Sequence, residues 1–225
     1  MKIVICTPHN GETKAPFTHS LARLLVYTGK VGVPGPAGRI RPDLDFVMIG
    51  GSNIANNRIN LAEITVEAEA DYLLWLDSDM AFPHYALERL ISANQAIIGC
   101  NYGRRDNPTG PTAFTKKNGK PEPVWTTAEL AEEGLVERVH SLGLGVCPMA
   151  VPVFQKIERP WFEWGPDGED GYFFAKIADA GIPVMLDHRL SWEVKHITYA
   201  EITNAHTVND RAEWLQAQAK VRKHG

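Results

Sequence analysis

Apolar and polar positions in the chain fall into two periods, one of strands and one of helices. Lys2–Cys6 (KIVIC) is short, β-branched and continuously apolar, the pattern of a strand buried on both faces. It predicts a first strand that ends at the turn-rich Thr7-Pro8-His9-Asn10-Gly11. Helical spacing follows from Thr18 to Tyr27, with Leu21, Leu24 and Leu25 on one side. The Gly/Pro-dense stretch from Gly29 to Pro42 predicts no regular structure. Phe46–Ile49 reads as a second strand, after which Ser52 can cap a helix to about Glu69, with Ile54, Leu61, Ile64 and Ala68 as its apolar stripe. Tyr72–Leu76 (YLLWL) is the most strand-like run of all, Pro83 opens a helix to about Ala93, and Ala96–Cys100 is a further strand. This alternation predicts an α/β fold with a mostly parallel central sheet and right-handed crossovers.

Beyond Cys100 the pattern loosens. Residues 101–125 are polar and rich in Gly and Pro, a long irregular segment of the kind that usually carries function or moves. Leu142–Val146 and Val184–Leu186 read as short strands, with a helix from about Asp170 between them and a polar helix from Val208 to about Arg222. The expected organisation is one domain over residues 1–206 and a C-terminal helix over 207–225.

Composition narrows this picture only a little. With 225 residues, 44% hydrophobic and 22% charged, the chain can bury its own core and is not disordered over its length. A formal charge of −4 excludes binding of polyanions through overall charge, though not through a local patch. Such a patch is available: residues 101–125 hold Arg104, Arg105, Lys116, Lys117 and Lys120 against Asp106 and Glu122, and Lys220, Arg222 and Lys223 lie near the C-terminus. Cys6, Cys100 and Cys147 are widely spaced and odd in number, so reduced, buried thiols are expected. No run is long and apolar enough for a membrane span and the N-terminus lacks a signal-peptide core, so a cytoplasmic protein without membrane insertion is expected.

The chemistry centres on Asp77-Ser78-Asp79, directly after YLLWL. In open α/β sheets ligands bind beyond the carboxyl ends of the strands. Two carboxylates at i and i+2 there can reach one hard cation, or a cation and a ribose, and the cation can hold a diphosphate. Aspartates after strands also simply cap turns. The same motif follows an apolar strand in haloacid-dehalogenase-type phosphatases, but there the strand opens the fold; here it comes a third of the way along and runs on to Met80-Ala81-Phe82-Pro83.

Taken together, IVICTP at the start, Asn57-Arg58-Ile59-Asn60, the segment from Ala70 through Asp77-Ser78-Asp79 to Met80, and Phe82-Pro83 resemble glycosyltransferases of the family-2-like GT-A group, in particular short bacterial and phage members. Ile59 and Asn60 depart from that group's usual Arg-Asn pair. Downstream, Leu142-Gly143-Leu144-Gly145 leading to Val153–Ile157, Gly168-Glu169-Asp170-Gly171, and the stretch from Leu186-Asp187 to His196-Ile197 match further motifs of the group in the right order. The resemblance covers about residues 2–200. It implies a single GT-A domain, a Rossmann-like nucleotide-diphospho-sugar transferase fold.

The same resemblance implies roles. Thr7, Pro8, His9, Arg58, Asp77 and Ser78 would meet the donor nucleotide, a UDP-sugar first among the candidates. Asp77, Asp79 and His196 would hold Mn²⁺ or Mg²⁺, the imidazole favouring Mn²⁺. Asp170 would take the proton of the acceptor hydroxyl, with Glu169 as the adjacent competitor. Acidic residues at a helix start also serve stability alone. Trp161, Trp164, Gly145, Arg104 and Arg105 are candidate sugar or acceptor contacts, and the two tryptophans equally suit the core. The phage resemblance raises a hydroxymethylated pyrimidine in DNA as the acceptor, its base flipped out of the stack, in the host cytoplasm; saccharide, lipid-linked and protein acceptors are the alternatives. A sugar nucleotidyltransferase would need a Gly-rich basic signature after the first strand, which Thr7–Lys14 lacks. A non-catalytic nucleotide-sugar-binding module would need no acid at Asp170.

Overall fold

A computed structural model describes residues 1–198 and 201–221. The first strand, β1 (Lys2–His9), has six consecutive buried residues, Ile3 to Pro8. It outruns its predicted end at Cys6 because parallel pairing continues through Pro8 opposite Ile49 and His9 opposite Gly50. Helix α1 (Ala15–Val31) is also longer than its apolar spacing predicted, with Pro at its first turn. The Gly/Pro-dense segment is not irregular: β2 (Val33–Gly35) and β3 (Gly38–Ile40) form a small antiparallel hairpin. Gly32 makes that possible, at φ 75° and so close to the hairpin that a Cβ would lie 2.3 Å from the Ile40 carbonyl oxygen.

Strand β4 (Asp43–Gly50) leads to α2 (Ile54–Glu67), whose cap is Asn53 rather than Ser52: its side chain accepts from the Asn56 N–H at 3.1 Å. The buried face of α2 also differs from the predicted stripe. It runs through Ala55, Arg58, Leu61, Ala62 and Thr65, while Ile64 is exposed. The chain continues through β5 (Tyr72–Leu76), β6 (Met80–Ala81), α3 (Ala86–Ser92) and β7 (Ile98–Gly99). Residues 101–125, expected to be irregular, contain the hairpin β8 (Phe114–Lys117) and β9 (Lys120–Pro123). Then come α4 (Ala128–Glu133), β10 (Val136–Val139) and β11 (Val146–Ala150). Only Val146 of the predicted strand Leu142–Val146 is in β11; the residues before it form a loop. The remainder is α5 (Pro152–Gln155), α6 (Gly168–Asp179), β12 (Val184–Asp187), α7 (His188–Glu193), β13 (Lys195–Ile197), β14 (Glu201–Ile202), α8 (Asn204–Asn209) and α9 (Arg211–Val221). The predicted C-terminal helix is thus two helices, starting at Asn204. Arg222, Lys223 and the Lys220 side chain lie outside the described residues.

The central sheet has the order β11-β5-β1-β4, with β1 parallel to β4 and β5, and β11 antiparallel to β5. A second sheet, β10-β12-β7, joins it edge to edge through the Ile97/Met149 bridge and the Cys100 N–H to Val146 carbonyl bond. Successive residues of β1 and β5 feed opposite cores. Val4, Cys6, Leu73 and Trp75 pack with α2 and α6, whereas Ile3, Ile5, Leu74 and Leu76 pack with α1 and α3. Each large side chain so buried contributes about 1.5–3 kcal/mol, which accounts for the unbroken apolar run Leu73–Leu76. The three cysteines are free and buried. Among the described residues, no helix is long and apolar enough to cross a membrane.

A third small sheet, β14-β13-β6, places His196 directly opposite Met80. This register carries a residue from late in the chain to the carboxyl end of β5.

Candidate functional site

Asp77, Ser78 and Asp79 leave β5 with their backbones held on three sides. The Asp77 N–H donates to the Gly145 carbonyl (3.0 Å), the Ser78 carbonyl accepts from the Lys14 N–H (3.0 Å), and the Asp79 carbonyl accepts from the Ile197 N–H (2.7 Å). The two carboxylates are therefore displayed from a fixed turn, and they point to different partners.

Asp77 faces Arg58, which α2 carries on its inward side. Arg58 Nη2 donates to both Asp77 oxygens, at 3.1 and 3.3 Å, while Nε donates to Glu169 Oε1 at 3.2 Å and lies 3.5 Å from Asp170 Oδ1. The guanidinium is buried and stands 5.1 Å over the Trp75 ring. Burial works against its charge, but Asp77, Asp170 and Glu169 outweigh that and keep it protonated. Its Nη1 is buried without a hydrogen-bond partner.

Three carboxylates around one cation leave excess negative charge, and Asp170 bears the consequence. Burial above all, reinforced by Glu169 and Asp77 and opposed by Arg58, pushes its carboxyl up to about 7. Oδ2 accepts from the Leu144 N–H at 3.1 Å, and Oδ1 has no hydrogen bond. The acid pair sits in the first turn of α6, where the helix dipole favours negative charge.

Asp79 faces the other way, toward His196, whose Nε2 lies 3.6 Å from Asp79 Oδ2. His196 Nδ1 is 2.8 Å from the Gly103 carbonyl, which can only accept, so Nδ1 carries the proton and Nε2 keeps its lone pair. Burial, together with the nearby Arg105 charge, lowers the imidazole's basicity and favours the neutral ring. A neutral imidazole nitrogen and a carboxylate side by side suit a divalent cation such as Mn²⁺. Asp77, the third residue expected to ligate the metal, has both its oxygens engaged by Arg58. Among the described residues no group of three or more His, Cys, Asp or Glu forms a metal set. A guanidinium stands at the pair instead: Arg105 Nε donates to His196 Nε2 at 3.0 Å and its Nη2 contacts Asp79 Oδ2.

The remaining predicted residues divide. Thr7 and Pro8 are buried in the last part of β1 and the Thr7 hydroxyl has no partner, while His9 accepts from the Gly11 N–H at 3.0 Å and covers Gly50. Trp161 is a correction: it is 4% exposed and packs on Phe154, ring centroids 5.0 Å apart, so it is core and not a sugar platform. Trp164, by contrast, is 72% exposed. Arg104 pairs with its neighbour Asp106 at 2.9 Å and is not drawn into the cluster. Gly145 acts through its backbone, since its N–H donates to Tyr102 Oη (3.0 Å) and a Cβ there would lie 2.8 Å from that oxygen. Tyr102 itself escaped the sequence reading; it is buried, its ring meets the His196 ring at 5.4 Å, and burial next to Asp77 and Asp170 raises its phenol well above the usual value. Its place just beyond β7, at a strand's carboxyl end, was the available signal. A surface cleft of about 690 Å³, lined by Tyr85, Glu88, Arg89 and Asp187 among others, includes none of these residues.

No protein-family model and no curated protein matches the chain. Among solved structures it is similar to the one described as the crystal structure of A197 from STIV, at 17% identity and a TM-score of 0.59, covering 88% of this chain and 86% of that one. That likeness extends to the fold: a mixed α/β chain with a mostly parallel central sheet.

Proposed function

We propose that the chain is a GT-A-type glycosyltransferase that moves a sugar from a nucleotide-diphosphate donor, a UDP-sugar in the first instance, to an acceptor hydroxyl. The observation that carries this reading is the convergence, beyond the carboxyl ends of β1 and β5, of the Asp79–His196 pair and the Arg58-centred acids Asp77, Glu169 and Asp170.

Asp79 and His196 are the residues that would hold Mn²⁺ or Mg²⁺, and a cation there supplies charge neutralisation for the departing nucleoside diphosphate. Thr7, Pro8 and His9 border the nucleotide. Asp170 is the base in preference to Glu169, because Glu169 is committed to Arg58 whereas the Asp170 carboxyl is tuned toward neutrality. Its Oδ1 is buried against Arg58, so Oδ2 receives the proton. As the acceptor oxygen bonds to the sugar C1, the C1–O bond to the diphosphate breaks and the acceptor proton passes to Asp170. Arg58 positions the base and Asp77 together.

The acceptor proposed is a hydroxymethylated pyrimidine in DNA. Its support is the β8–β9 hairpin, on which Lys116, Lys117 and Lys120 are all exposed and available to phosphates. The test is nucleoside diphosphate release from a panel of UDP- and GDP-sugars with Mn²⁺, followed by mass spectrometry of hydroxymethylated DNA, oligosaccharide and protein acceptors. Mn²⁺-dependent release with a mass increase on the DNA supports the full reading. Release with the mass increase on a saccharide or protein removes the DNA acceptor alone. No release from any donor overturns the transferase.

A further inference from the structure

Arg105 belongs to a strap whose base is fixed and whose tip is not. Gly103 bridges to Pro111, the Arg104 N–H donates to the Gly110 carbonyl at 2.7 Å, and the Thr109 hydroxyl donates to the Arg104 carbonyl at 2.5 Å. The C-terminal helices fasten that base: the Thr109 N–H reaches Asp210 Oδ2 at 3.4 Å, and Gly110 lies under Trp214 so closely that a Cβ would sit 2.2 Å from its Nε1. The same stretch supplies the Gly103 carbonyl that sets the His196 tautomer. Beyond the base, Arg105, Asp106 and Asn107 are exposed. From this tip Arg105 turns back and places its guanidinium on both Asp79 and His196.

We infer that Arg105 is a tethered stand-in for the divalent cation, competing with it for Asp79 and His196, so that metal binding requires the strap tip to release its guanidinium. This rests on the reading of Asp79–His196 as the cation pair. The chemistry is direct: His196 Nε2 has one lone pair, and an arginine N–H and a metal ion cannot share it. Charge points the same way, since a divalent ion beside Asp79 repels a guanidinium at the same place. Because the strap base is held independently of Arg105, release of the tip does not require the fold to open. Once released, the cation on the strap is free to meet an anionic ligand such as a diphosphate.

The experiment is Mn²⁺ binding followed by electron paramagnetic resonance on the full chain, with no nucleotide present. Arg105→Gln is expected to bind Mn²⁺ about threefold more tightly than the parent, the effect of abolishing a contact engaged roughly two-thirds of the time. Arg104→Gln, a change of equal charge on the same strap, is expected to leave the affinity unchanged, and Asp79→Asn to abolish binding. Trypsin cleavage after Arg105 is expected to quicken when Mn²⁺ is added to the parent protein. Equal affinities for the parent and Arg105→Gln, weaker binding by Arg105→Gln, or no Mn²⁺ binding by either protein overturns the inference. Failure of the transferase reading registers separately, as absence of nucleotide-sugar turnover while the affinity difference persists.

Discussion

Two arginines neutralise the two aspartates of Asp77-Ser78-Asp79, and they are built in opposite ways. Arg58 comes from the inward face of a helix, is 2% exposed, and is shared by Asp77, Glu169 and Asp170. Arg105 comes from an exposed strap tip, is 52% exposed, and meets only Asp79 and His196 among these residues. The first is buried architecture: removing it leaves three half-buried carboxylates without their shared cation. The second is a surface ion pair, whose Coulomb gain is small and screened by salt. A motif of three residues thus carries one aspartate tied into the fold and one whose cation can be exchanged.

The largest break in this comparison is Arg58→Leu. It keeps bulk over Trp75 but leaves three acids without their cation, and should cost about 3–5 kcal/mol of stability, as loss of one partner from a buried ion pair does; urea unfolding measures it. A cost below about 1 kcal/mol, the range of exposed pairs, would erase the distinction between the two arginines. Gly145→Ala tests the wall behind Asp77. Its Cβ would press on Tyr102, so a loss of about 1–3 kcal/mol is expected in the same assay, as for other overpacked sites.

Asp170 offers a subtler probe of the Arg58 cluster. Its carboxyl is raised in the folded chain from an ordinary value of 3.8 to about 7. The native state therefore holds this proton more tightly than the unfolded state does. The resulting stabilisation is complete below about pH 4 and is lost as pH rises toward 7. Unfolding free energy measured across that window should decline with pH in the parent and decline less in Asp170→Asn; matching slopes would contradict the burial-driven shift. The smallest effect belongs to Arg105→Gln, which should alter stability by less than about 1 kcal/mol and lose even that in high salt.

The same contrast explains what could be read in the sequence. Strands β1 and β5 were legible because burial on both faces fills Ile3–Cys6 and Leu73–Leu76 with apolar side chains, shared between the two opposed cores. The free, buried cysteines also follow from their spacing. Helix α2 was legible as a helix, but its inward face was misjudged, because an apolar stripe was sought where Arg58 and Thr65 are buried for polar reasons. The hairpins in the two Gly/Pro-rich segments were missed because turn residues mark chain reversals without saying whether the flanking residues pair. Partners far apart in the chain were beyond local pattern altogether. Arg58 and Glu169 are 111 positions apart, and Arg105 and His196 are 91 apart. Arg105 looked like a possible acceptor contact until the fold set it on His196, and Trp161 was open between sugar and core until the packing against Phe154 decided it.

The central claim is that Asp170 withdraws a proton during sugar transfer, and nucleoside diphosphate release by the parent and Asp170→Asn, each followed against pH with Mn²⁺ and an accepted donor–acceptor pair, tests it most directly. The account predicts a parent rate that climbs as pH passes about 7, a loss of about 10²–10⁴-fold in the variant, and unchanged Mn²⁺-dependent binding of the nucleotide. Equal rates in the two proteins, or a parent rate indifferent to pH across that range, would contradict it.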